Sequence, residues 1–333
     1  MSHTPFPLPA LLQAYALGYS GPMQHVHGRV WRLPTSDGDI AIKCYAPEHH
    51  ARALKEASVI AHLNDCLNTP CAYPFRVQKL IPTQSGELLW SGEQTHVMAS
   101  RWEDGHLKTF DHFTLTEWEA LGTSLAALHL ALESLLLPGL ETLHQRLHAI
   151  NATAVHQNLL ADESRILHLP ESRQLQDYLQ RCAQLLDTHL PGSLSQFPAN
   201  DPQLPIHNDY NQFNYLFNGS QMPVILDWEA CIGAPREYEL VRCMNHLPLI
   251  APEQARAFIH AYLEIHPLHR SHMCWAVDAA CVQHALKRWI LQHWLETPQA
   301  FDAQLQGAMS MTQLLVSARQ PLIDFYTRLC PYD

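Results

Sequence analysis

The chain has 333 residues, an apolar share of 47% and a formal net charge of −11. That length exceeds one average domain, and that composition excludes a disordered or low-complexity chain. The acidic balance argues against nucleic acid as a partner and is compatible either with a cationic substrate or with solubility alone.

From about residue 23 the pattern is strand-like: VHGRVWRL, a turn at Ser36-Asp37-Gly38-Asp39, then IAIKCY. ARALKEASVIAHLND follows as a helix, with Ala53, Ala57, Ile60 and Leu63 on a common face. VQKLIPT, GELLWSG and QTHVMASRW read as three further strands. After Trp102, apolar-periodic helices dominate from Leu115 onward, interrupted near 200–235 by short strands. The expected class is α+β: a small β-rich N-lobe over 1–100, with a five-stranded sheet and one helix, then a larger, mainly helical C-lobe over 101–333. The most apolar run, LGTSLAALHLALESLLLPGL, carries His129 and Glu133 and ends at Pro138-Gly139, which predicts a buried helix rather than a membrane span. The nine cysteines are odd in number and form no C-x-x-C, and the start MSHTPFPLPA lacks a basic and apolar leader. Reduced thiols in a cytoplasm are therefore expected. The 23 histidines are scattered, and pairs such as His49-His50 or His269/His272 lack a convergent third ligand.

Residues 204–217, LPIHNDYNQFNYLF, place His207, Asn208, Asp209, Asn211 and Asn214 among apolar neighbours. A surface turn needs one or two such residues. Asp209 and Asn214 stand five apart, and Asp227 follows 13 residues later inside VILDWE, beyond a turn at Asn218-Gly219-Ser220. A hairpin there would return Asp227 to the side of Asn214. The spacing is that of a phosphoryl-transfer loop, in which an Asp accepts the substrate hydroxyl proton and an Asn and a second Asp hold Mg²⁺. An ordinary hairpin with Asx turns is the competing reading. The N-lobe bears on that choice: Lys43 lies in the alternating strand IAIKCY, and Glu56 follows 13 residues later on the helix. Taken alone each would be a solvated charge. Taken with the loop they read as an ATP-positioning lysine and the carboxylate that orients it.

These segments resemble the aminoglycoside phosphotransferase and choline kinase group of small-molecule kinases, which share the protein-kinase fold. The likeness runs through HVHGRVWRL, IAIKCY, ALKEASVIAHL, VMASRWEDG, LGTSLAALH, LPIHNDYNQFNYLF and VILDWEACIGAPREYELVR. It implies ATP and Mg²⁺ as cofactors, Lys43 on the α/β-phosphates with Glu56 behind it, Asp209 as catalytic base, and Asn214 and Asp227 as metal ligands. It also implies a hinge over residues 98–102, with Met98 and Ser100 near adenine, and phosphate contacts from His27 and Gly28. Asp209 and Glu229 would face the acceptor, while His207 and Glu239 would brace the catalytic segment. Two departures stand out. Asn208 occupies a position that is usually Gly, a mild change because Asn tolerates left-handed backbone. The phosphate-covering turn has Gly28 alone and no G-x-G-x-x-G.

Only 12 positions separate Asp227 from Glu239, with no A-P-E, so no activation segment for seating a peptide is expected. The expected activity is phosphorylation of a hydroxyl on a small molecule: an amino alcohol, homoserine, choline, an amino sugar or an aminoglycoside. A Ser/Thr protein kinase of the same fold and a non-catalytic ATP-binding regulator are the alternatives. Trp289 and Trp294 read as core residues, with a cation cage as the other reading.

Overall fold

The structure, a computed structural model, describes residues 6–69, 73–219 and 222–330. In chain order its elements are α1 (Leu8–Tyr15), β1 (Gln24–His27), β2 (Val30–Leu33), β3 (Ile40–Tyr45), α2 (His50–Leu67), β4 (Arg76–Val77), β5 (Leu80–Ile81), β6 (Trp90–Ser91), β7 (His96–Arg101), α3 (Leu115–Leu132), α4 (Leu143–His148), α5 (Ala152–Ile166), α6 (Ser172–Ser195), β8 (Pro205–Ile206), β9 (Tyr215–Leu216), β10 (Val224–Ile225), β11 (Ile232–Gly233), α7 (Arg236–Met244), α8 (Leu247–Ile250), α9 (Pro252–Leu263), α10 (Met273–Ala285), α11 (Arg288–Glu296), α12 (Pro298–Leu315) and α13 (Arg319–Leu329). They form two compact units, Met1–Gly139 with His207–Cys231, and Leu140–Ile206 with Ile232–Asp333.

The first unit is built on an antiparallel sheet in the order β1-β2-β3-β7-β5, with β6 also pairing to β7. Among the described residues it has six strands rather than the expected five. VHGRVWRL is not one strand, because Gly28 takes φ +52 and folds the chain into a β1–β2 hairpin. VQKLIPT is also divided. Val77 leaves for a separate three-stranded sheet, parallel to β10, while Leu80 and Ile81 pair with β7.

Alternation along β3 gives the sheet two different faces. Ile40, Ile42 and Cys44 are buried with Leu33, Val97 and Ala99 against Phe6, Leu11 and Tyr15 at α1. The sequence reading had no helix at α1, although Leu8, Leu11, Leu12 and Tyr15 carry the i, i+3, i+4, i+7 pattern. The Tyr15 hydroxyl donates to the Val97 carbonyl at 2.8 Å, which ties α1 to the sheet. Lys43 and Tyr45 fall on the opposite face. Helix α3 starts in a capping box, with Thr114 Oγ1 accepting from the Glu117 amide and the Glu117 carboxylate accepting from the Thr114 amide. Such a cap contributes about 1 kcal/mol.

Among the described residues, the regular elements of the second unit are helices apart from the short β8–β11 pair. Helix α10 packs against α6, α7 and α13, and α11 against α12. Trp294 sits in a core with Ile166, Tyr178 and Leu291, as expected, whereas Trp289 is half exposed. No helix among the described residues is long and apolar enough to cross a membrane.

Candidate active site

Register places the lysine. In β3 Lys43 pairs with Val30 of β2 and Met98 of β7, and Ala41 pairs with Ser100. Met98 and Ser100 are both buried. Lys43 Nζ donates to both Glu56 oxygens at 2.9 Å and to Asp227 Oδ1 at 2.8 Å. Glu56 is fully buried, on the same face of α2 as Ala53, Ala57, Ile60 and Leu63. It also accepts from the Tyr45 hydroxyl. A buried carboxylate on a helix face is costly unless its charge is matched, and here one cation and one hydroxyl match it. Burial alone would lower the Lys43 pKa, but Glu56, Asp227 and Glu229 outweigh it and hold the ammonium above its ordinary value. For Asp227, burial pushes up, and the Lys43 charge and hydrogen bond bring the carboxyl below its usual range.

The loop is held from within. Asp209 Oδ1 accepts from the Asn211 amide at 2.8 Å, and Oδ2 from the Asn214 amide at 3.0 Å. His207 Nε2–H donates to the Leu226 carbonyl at 2.9 Å, while Nδ1 accepts from the Asp209 amide at 3.2 Å. These partners place the ring proton on Nε2. Its ring lies 4.4 Å from the Trp228 ring, so His207 joins the loop to the strand that delivers Asp227. The β9–β10 hairpin pairs Ile225 with Tyr215, and the Leu226 amide donates to the Asn214 carbonyl at 3.0 Å. Asp227 therefore returns beside Asn214, as the spacing predicts; Ser220 of the turn lies outside the described residues. Asn208 has φ +62, the left-handed conformation its Gly-like position requires, and its amide donates to the Ala230 carbonyl at 3.0 Å.

His27 and Gly28 are exposed at the β1–β2 turn. Glu229 is only 10% exposed, with Arg29 donating to both its oxygens and Arg52 to one. Glu239 is buried in α7 of the second unit. Arg29, Arg52 and Tyr45 were not singled out from the sequence. Tyr45 had a signal, since it stands two residues after Lys43 on an alternating strand. Oxygens of Glu56, Asp227 and Glu229 all lie within 4.8 Å of one another. Lys43 Nζ stands among these oxygens, at 2.9, 2.8 and 3.8 Å; the Asp227 carboxylate, 39% exposed, keeps an open side and is the kind of oxygen donor a hard divalent cation takes.

A lysine bridging a buried helix carboxylate and the aspartate that follows a loop hairpin is a kinase arrangement. The sequence profile of the phosphotransferase enzyme family matches residues 24–275. The chain belongs to that family. Its fold is similar to that of an aminoglycoside phosphotransferase from Alicyclobacillus acidocaldarius, with TM-score 0.66, 15% identity and 98% of each chain covered. A spectinomycin phosphotransferase in complex with ADP and spectinomycin matches with TM-score 0.66 and 16% identity, over 95% of this chain and 97% of that one. An amicoumacin kinase in complex with AMP-PNP and Ca²⁺ matches with TM-score 0.63 and 15% identity, over 98% and 94%. No curated protein matches the chain in sequence. This phosphotransferase thus has the kinase-like α+β fold expected of it, with a β-sheet in its N-terminal part and a mostly helical C-terminal part.

Proposed function

We propose that this phosphotransferase transfers the terminal phosphoryl group of ATP to a hydroxyl of a small, amine-bearing molecule of the amino alcohol, homoserine, choline, amino sugar or aminoglycoside type. The observation that carries the reading is Lys43 held at once by Glu56 and Asp227, beside a loop whose Asp209 and Asn214 are hydrogen-bonded to each other. Lys43 binds the α/β-phosphates and Glu56 keeps it aimed. Met98 and Ser100 border the adenine, and the His27-Gly28 turn covers the phosphates. Asn214 and Asp227 would hold Mg²⁺, which would supply neutralising charge to the phosphoryl oxygens. Asp209, oriented by two carboxamides, accepts the proton of the acceptor hydroxyl. In functional terms residues 1–100 carry the nucleotide, and 101–333 supply the catalytic loop, the metal ligands and the acceptor-binding region. Solved neighbours holding ADP with spectinomycin, or AMP-PNP with Ca²⁺, support a nucleotide donor, a divalent cation and a small acceptor.

The test is ADP release from Mg·ATP across a panel of these acceptor classes. One class should raise the rate well above the acceptor-free background. Mg²⁺-dependent ATP binding without turnover on any small molecule, or phosphate incorporated only into protein, would count against the proposal.

A further inference from the structure

A phosphate-covering turn usually supplies several backbone N–H groups, made accessible by repeated glycines. This chain offers one glycine there. A Cβ on Gly28 would meet nothing within 4 Å, so its part is conformational: φ +52 turns the chain straight into Arg29. The Arg29 backbone is anchored beside the lysine, its carbonyl accepting from the Cys44 amide at 2.9 Å. Its guanidinium carbon lies 5.1 Å from the centroid of the Tyr45 ring, the same ring that Lys43 Nζ approaches at 5.5 Å. One terminal nitrogen of Arg29 reaches both Glu229 oxygens, at 2.9 and 2.7 Å. Arg52, from the first turn of α2, reaches Glu229 at 2.6 Å.

Two features separate this cluster from an ordinary surface ion pair. The carboxylate is nearly buried while the Arg29 side chain is 39% exposed, so a buried anion holds a cation that still reaches solvent. A guanidinium has five N–H donors, and both contacts to Glu229 use the same nitrogen. The cluster also balances: Lys43, Arg29 and Arg52 stand against Glu56, Asp227 and Glu229. A nucleoside triphosphate with one divalent cation brings a net negative charge into that cluster, and a cation that can turn from its carboxylate towards the phosphates meets part of it.

The geometry points to Arg29 as a phosphate-binding residue for a nucleoside triphosphate, held ready by Glu229 and taking the place of the missing glycine-rich loop. This rests on the phosphotransferase reading above. Arg29 suits the task because its planar fork pairs with phosphate oxygens through charge-assisted hydrogen bonds. Glu229 is the internal anion that occupies the fork before the phosphates do, and Arg52 remains paired with Glu229 when Arg29 turns outward.

The experiment is calorimetric binding of Mg·AMP-PNP and, separately, of adenosine to the full chain and to its Arg29→Ala and Arg29→Lys variants, with melting temperature as the folding control. Arg29→Ala should weaken Mg·AMP-PNP by about 10–100-fold, the size of a lost charge-assisted hydrogen bond, and leave adenosine unchanged. Arg29→Lys should recover part of the loss, since it restores charge without the fork. An Arg29→Ala protein that binds Mg·AMP-PNP like the wild type would overturn the inference. So would equal losses for adenosine and the analogue, because Arg29 would then only pin the hairpin. A wild-type chain that binds neither ligand would instead remove the phosphotransferase reading, and this inference with it.

Discussion

In the proposed mechanism Asp209 is the side chain on which the chemistry turns. Each of its oxygens accepts from a different carboxamide, so its orientation is set before any acceptor arrives. Replacing it by Asn keeps size and shape but sets an amide nitrogen against a donor from Asn211 or Asn214 and removes the proton acceptor. Turnover should fall by about 10²–10⁴-fold, the usual size of a general-base effect, with nucleotide affinity unchanged within a few-fold. Asp227→Asn should behave differently. Its carboxylate holds Lys43 at 2.8 Å and belongs to the proposed metal set, so both rate and Mg²⁺-dependent nucleotide binding should weaken. Initial rates and nucleotide dissociation constants for the two variants separate these patterns. An active Asp209→Asn enzyme would return the loop to the status of a polar turn, where Asn is as favourable as Asp.

Helix α6 meets α10 at a point with no spare room. Gly192 follows Pro191 in α6, and a Cβ added there would stand 2.2 Å from Asp278 Oδ2. That carboxylate has nowhere to go: it is buried, accepts from Arg319 at 2.7 Å through each oxygen, and pairs with His189 Nδ1 at 2.7 Å. In an exposed helix Gly→Ala normally stabilises by about 1 kcal/mol. Here we expect the opposite sign, a loss of about 2 kcal/mol or more, because the methyl must displace a paired buried charge. Urea denaturation of Gly192→Ala measures it, and a stabilised variant would show that α6 and α10 can shift apart at no cost. Helix α2 makes a related point from the other unit. Its apolar stripe includes Glu56, so the site is built into a core-facing surface rather than added to an exposed one.

Stability of the chain should depend on pH through one of its buried histidines. His284 of α10 is 7% exposed, and its Nε2 lies 2.7 Å from Asn245 Oδ1. Burial, with the nearby charges of Lys287 and Arg242, drives its pKa well below the ordinary 6.5. The folded state therefore stays unprotonated where the unfolded chain binds a proton. Stability should be fully present above about pH 6.5 and decline below it, by up to about 1.4 kcal/mol per pH unit from this group, until the folded-state pKa is reached. Melting temperatures between pH 8 and 5 should show the decline, and His284→Gln should flatten it. A wild type and variant with parallel profiles would exclude His284 as its source.

Much of the site was legible because its signals are local. The Asp209–Asn214–Asp227 spacing, the alternation that puts Lys43 on its own face of β3, the helical stripe carrying Glu56, and a left-handed Asn208 all follow from preferences acting over a few residues. The division of 26–33 at Gly28 was missed by a narrow margin, since strand patterning outweighed a single glycine. The contacts that close the cluster are of another kind. Arg29 and Arg52 reach Glu229 across 200 and 177 positions, and β4 pairs in parallel with β10 from the far side of the intervening helices. No periodicity connects such residues. An arginine after a turn and a glutamate after a hairpin look like solvated charges until folding brings them together, and their pairing depends on where the backbone between them finds its own burial.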